Sequence, residues 1–142
     1  MPIIDDPTIV NDAATLSASA ALTTASVQCF HARQVTFMLS ATNAAVLAGA
    51  EVEVGTNLAN WWGEATTPSR QDVGVIVTGT TEGVPLNTGE VPLCVNHPNG
   101  LLPVRFARLK LTAGGADITG LKIRVVVVQD LSIGADAAGV IV

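Results

Sequence analysis

Charge is scarce in this chain. Asp, Glu, Lys and Arg make up 13% of its 142 residues, against roughly 25% in a typical soluble domain. A free monomer relies on charge for solubility, so a surface this neutral suits a protein that ends up against other subunits. Tyrosine is absent, aromatics amount to 4%, and there are two histidines and two cysteines. Few side chains are therefore available for general acid–base chemistry. Two cysteines do not make a disulfide framework. No apolar stretch approaches the roughly 18 residues of a spanning helix, and runs such as Val125–Val128 are short. Met1-Pro2-Ile3-Ile4-Asp5-Asp6 offers neither a basic n-region nor a long apolar core, so the expectation is a product made and used in a cytoplasm. The net charge of −5 argues against a general nucleic-acid binder. Phosphate-loop, H-E-x-x-H and G-x-S-x-G patterns are missing as well.

Hydrophobic residues, at 49%, are plentiful, and the length fits one domain with a sizeable core. Residues 1–20 read as an extended N-terminal arm. Pro2 and Pro7 forbid a regular helix there, while Ile3, Ile4, Ile9 and Val10 need cover. From residue 21 the pattern is β. Val35, Phe37 and Leu39 alternate with polar neighbours, as Val52 and Val54 do with Glu51 and Glu53, which is the period of a half-buried strand. Val27–Phe30, Val73–Thr78, Val91–Val95, Val104–Thr112 and Leu121–Gln129 are further strand candidates, and the Pro98-Asn99-Gly100 run marks a turn. About eight short strands at spacings of about ten to fifteen residues point to an all-β sandwich or jelly roll. It would span residues 21–130, with a glycine-rich C-terminal arm over residues 131–142. That arm carries Ile133 and ends in Val140, Ile141 and Val142, an aliphatic cluster suited to docking or edge pairing. It reaches either another chain or its own domain.

Residues 104–129 read as a closing hairpin with Gly114-Gly115 in its turn. The apolar phase changes between Val104, Phe106 and Leu109, Leu111, which a β-bulge near Ala107 would produce. Five of the seven basic residues fall here: Arg105, Arg108, Lys110, Lys122 and Arg124. On a hairpin they would form one basic stripe, either solvated or covered by an acidic partner such as the Asp5–Asp6 arm.

Chemistry-bearing residues are few. Cys29 and His31, two apart, would share a strand face. Joined by Cys94 and His97 they would make a Cys₂His₂ set of the kind that holds zinc. The alternative is two small buried thiols and two polar turn histidines. Glu51 and Glu53 share a face and could mimic a glycosidase carboxylate pair, although a solvated strand face carries such pairs without catalysis. Trp61 and Trp62 offer either a stacking platform for a sugar or base, or one core indole and one interface indole.

Taken together, an apolar N-terminal arm, a small all-β body with few charges and the segment VRFARLKLTAGGADITGLKIRVVVVQ resemble structural proteins of tailed bacteriophages. The closest resemblance is to capsid decoration, or cement, proteins of jelly-roll or sandwich type. That resemblance implies a non-enzymatic virion protein without cofactor. It would be assembled in the host cytoplasm, placed on the capsid surface, and partnered by itself (as a dimer or trimer) and by a major capsid protein. Neither nucleic acid nor membrane would be a partner. The interface would draw on Ile3, Ile4, Ile9, Val10, Trp61, Trp62, Arg108, Lys110, Lys122, Arg124, Ile133, Val140, Ile141 and Val142. Other readings are a tail, baseplate or fibre component, or a carbohydrate-binding sandwich module using a tryptophan.

Overall fold

The computed structural model describes residues 3–4, 8–59, 61–65, 76–79, 81–98 and 100–129; for residues 3–4, 8–14 and 62–65 it describes the backbone. Among these residues there is no helix. Eleven strands form: β1 (Ile3–Ile4), β2 (Thr8–Leu16), β3 (Ala21–Thr23), β4 (Val27–Gln28), β5 (Ala32–Ser40), β6 (Leu47–Gly55), β7 (Trp62–Ala65), β8 (Ile76–Thr78), β9 (Val91–Asn96), β10 (Phe106–Ala113) and β11 (Ile118–Gln129).

They make two antiparallel sheets. In the first, β1 and β2 share one edge beside β11, followed by β5, β9 and β8. In the second, β3 and β4 share an edge beside β10, followed by β6 and β7. With β1–β2 and β3–β4 each occupying one position, the order is that of a jelly roll, with β8 added outside β9. Every connection between those positions crosses from sheet to sheet except the one joining β6 to β7. The all-β sandwich expected from the strand pattern is therefore present.

Alternation decides which side chains enter the core. Val52 and Val54 on β6, Val35, Phe37 and Leu39 on β5, Leu109 and Leu111 on β10, and Ile123 and Val125 on β11 are fully buried between the sheets. Phe37 is the one aromatic ring in the buried core of the described residues. The remainder is aliphatic and β-branched, which suits pleated surfaces packed face to face.

Four expectations change. The closing hairpin does not exist. β10 pairs with β6, β3 and β4, whereas β11 pairs with β5, β2 and β1. The Gly114-Gly115 turn is an arch that carries the chain from one sheet to the other. Each sheet thereby receives one long, central, apolar strand, which a hairpin would have placed side by side.

Second, β10 has no bulge at Ala107. Its register against β6 runs evenly from Phe106 to Thr112 and shifts between Thr112 and Ala113. Val104 is buried before the strand starts, and Phe106 opens the strand on its outer face. The extra residue lies instead on the neighbouring edge, between β3 and β4. There Thr24 exchanges bonds with Leu109: its amide donates to the Leu109 carbonyl at 2.9 Å, and its Oγ1 accepts from the Leu109 amide at 3.0 Å.

Third, the segment read as an arm is extended but paired. Ile3 lies opposite Val128 and Ile4 opposite Val127, and Val10 opposite Ile123. The pairing of β2 to β11 shifts register three times. One irregularity falls at Gly120, whose φ of +58° is the left-handed backbone glycine tolerates. Asp5, Asp6 and residues 130–142, including the C-terminal arm, lie outside the described residues.

Fourth, the five basic residues are not one stripe, because β10 and β11 belong to different sheets. Arg108 and Lys110 are on the outer face of the second sheet, and Lys122 and Arg124 on the outer face of the first.

Candidate functional site

The two ends of the sandwich differ. At one end, the β2–β3, β5–β6 and β10–β11 loops are stitched by polar contacts. Asp117 Oδ1 accepts from the Ala18 amide at 2.8 Å, Asn43 Nδ2 donates to the Asp117 carbonyl at 2.8 Å, and Thr42 Oγ1 donates to the Thr119 carbonyl at 3.0 Å. Glu82, Glu90 and Asp117 belong to this end.

The other end is open. Cys29, Phe30, His31 and Ala32 make a tight turn between β4 and β5, closed by the Ala32 amide donating to the Cys29 carbonyl at 3.2 Å. His31 adopts a φ of 57°, a left-handed conformation in which histidine is enriched over most non-glycine residues. The turn pushes Phe30 outwards until it is 38% exposed. Its ring meets Phe106 edge-to-face at 5.7 Å between centroids, and the Arg105 guanidinium lies 5.6 Å from its centroid.

Between this turn and the run leading into β10 is a pocket of about 510 Å³. Phe30 and His31 form one wall, Thr56 another, and Leu101–Arg105 the floor and rim. Arg33 adjoins it, its guanidinium packed over Gly100, the residue before that run. Arg33, Arg105, His31 and His97 all belong to this end, and no described acidic residue sits in its loops. The site is thus an apolar hollow with the Arg105 guanidinium on its rim.

The structure does not bring the four metal candidates together. Among the described residues no three His, Cys, Asp or Glu side chains cluster as a metal set would require. Cys29 is not on a strand face with His31. It is fully buried, and its Sγ donates to the Val104 carbonyl at 3.6 Å. Burial pushes its thiol up to about 12, which keeps it protonated and unsuited to ligation. Cys94 lies on the outer face of the first sheet, between the buried Leu93 and Val95. His97 sits in the turn, bridged to Gly100.

Glu51 and Glu53 are not a paired acid and nucleophile either. Glu53 Oε1 accepts from Arg108 Nε at 2.7 Å, and Glu51 stands opposite Lys110 across the strands. Cross-strand pairing of opposite charge is the ordinary way to neutralise such a face. Arg108 also lies 4.0 Å from the centre of the Trp61 ring, whose indole Nε1 donates to the Leu58 carbonyl at 3.1 Å. One face of Trp61 is therefore already covered. For Trp62 the backbone in β7 is described.

On the first sheet Arg124 binds Glu90 through both Nε (3.0 Å) and Nη2 (2.8 Å). Among the sequence-predicted interface residues, Ile3, Ile4, Ile9 and Val10 align along β11 as backbone. Ile133, Val140, Ile141 and Val142 lie outside the described residues. Phe30, Arg105 and the Leu101–Val104 run were not singled out as a site from sequence. The available signal was an aromatic next to a His at the end of a strand, and a Leu-Leu-Pro run too short for a strand of its own.

No protein-family model, no curated protein and no solved structure matches this chain significantly.

Proposed function

We propose that this chain is a structural subunit of a tailed-bacteriophage particle, a decoration protein that binds an assembled capsid shell and reinforces it through contacts with neighbouring copies. The observation that carries the reading is the outer face of the first sheet. Val126, Thr36, Cys94 and Thr78 lie in one row across β11, β5, β9 and β8, and Thr36 in its middle is 9% exposed. The row is small-to-medium, uncharged and built on regular strands. This neutral row, flanked on β11 by Arg124 paired with Glu90 and by Lys122 beyond it, is a strip of rigid surface suited to contact with another protein. The jelly-roll order and the low overall charge support the same role. The covered ring of Trp61 weighs against sugar stacking. The separation of the basic residues onto opposite faces weighs against a nucleic-acid groove.

The test is co-sedimentation. The purified protein, added to shells of the major capsid protein encoded in the same source genome, is expected to pellet with the shells and to raise their dissociation temperature. Recovery wholly in the supernatant, with shell stability unchanged, sinks the proposal. Six-fold or open helical stacking of the protein on its own would move it to the tail.

A further inference from the structure

The open end of the sandwich holds a pocket with no assigned occupant, and the chain itself supplies a segment of matching chemistry. We infer that the pocket bounded by Phe30, Leu102, Val104 and Arg105 receives the aliphatic segment Val140-Ile141-Val142 of a second copy of this chain.

Three observations lead there. The first is chemical fit. The hollow is floored by Leu101, Leu102, Pro103 and Val104 and walled by Phe30, with Arg105 on its rim and Arg33 packed beside it over Gly100. Residues 130–142 contain Asp130, Asp136 and five aliphatic residues larger than alanine, and no basic residue. Asp136, four residues before the aliphatic triplet, reaches the Arg105 rim while the triplet fills the hollow. Complementary charge steers such an encounter while apolar burial holds it.

The second is location. β11 ends at the pocket end of the sandwich, and Gln129 Nε2 donates to the carbonyl of Phe30 at 3.2 Å. Every copy therefore presents the start of its tail beside its own pocket. The third is length. Val140 is eleven residues beyond Gln129, a reach of roughly 35 Å at about 3.3 Å per residue. That is far more chain than a return to the adjacent pocket needs, and enough to cross to a neighbour. The contact repeats head to tail, so a ring closes where the rotation between copies allows it.

This deepens the proposed role by naming the contact between copies, and it relies on that reading only for self-association. The experiment uses full-length chains in sedimentation velocity. The wild type is expected to sediment as an oligomer. Arg105→Glu, which keeps the tail and spoils the pocket, and Ile141→Asp, which keeps the pocket and spoils the tail, are each expected to run at the mass of one chain, 14.5 kDa. An equimolar mixture of the two regains a dimer, because each supplies the half the other lacks. Phe30→Asp is a second pocket variant should Arg105→Glu fail to fold. A monomeric wild type, oligomers that survive both substitutions, or a mixture that stays monomeric would each overturn the inference. A wild-type oligomer that passes the mixing test yet binds no shell removes the decoration role alone. Shell binding by a protein that fails the mixing test removes this contact alone.

Discussion

Cys29 makes the stability of this protein fall in alkali, by an amount the structure sets. Its side chain is fully buried, and burial pushes the thiol from 9.0 to about 12. Between those values the unfolded chain gives up a proton that the folded chain keeps. The unfolded state then binds fewer protons, so unfolding free energy decreases as pH rises. Below pH 9 both states hold the proton and the effect vanishes. Near pH 10.5 the loss comes to about 2 kcal/mol, and it approaches roughly 4 kcal/mol above pH 12. Cys29→Ala removes the titration and leaves a small void that costs roughly 1 kcal/mol at every pH. Urea unfolding of both proteins from pH 7.5 to 10.5 isolates the thiol, because every other side chain is common to the two. The variant is expected to be the less stable protein at neutral pH and the more stable one near pH 10.5, so the two curves cross. Curves that stay parallel over this range would refute the assignment of Cys29 as a buried, protonated thiol.

Three further perturbations probe the packing. Gly79 has a φ of +117°, and a Cβ there would stand 2.5 Å from the Pro92 carbonyl oxygen; Gly79→Ala is expected to cost roughly 2–3 kcal/mol in urea denaturation. Gly115→Ala, which meets nothing within 4 Å, stays within about 0.5 kcal/mol of wild type, and equal effects at the two sites would contradict this account. Thr81 is fully buried and its Oγ1 has no hydrogen-bond partner among the described residues, so Thr81→Val is expected to raise stability by about 1 kcal/mol; a loss of that size would mean the hydroxyl is satisfied by a bound water. Arg108 joins Glu53 to the Trp61 ring, so Arg108→Ala is expected to lower stability by about 1 kcal/mol and to shift tryptophan emission, whereas an unchanged spectrum would place the indole elsewhere.

The strands themselves were legible from particular residues. Val52 and Val54 between Glu51 and Glu53, and Val35, Phe37 and Leu39 between polar neighbours, specify which face is buried, because a strand's side chains alternate whatever it pairs with. The candidate site was not legible in this way. Phe30 is distant in sequence from the contiguous Leu101–Arg105 run, and the two meet because two inter-strand connections end at the same rim of the sandwich. Cys29 was readable as a small buried thiol, but its distance from Cys94 depends on which sheet each segment joins.

By itself the sequence determined the class of the fold, its aliphatic core and the neutrality of its surface, since composition and alternation are local properties. Tertiary structure alone decided the rest. Gly114-Gly115 serves equally in a hairpin or an arch, and the choice of arch sent β10 and β11 to opposite sheets. It split the basic residues between two faces, set Arg108 against Glu53 and Arg124 against Glu90, and left Arg105 on the rim of a pocket. The physical reason is that a turn fixes only the direction of the chain over a few residues, while partner choice between strands depends on burying both long apolar strands at the centres of two facing sheets.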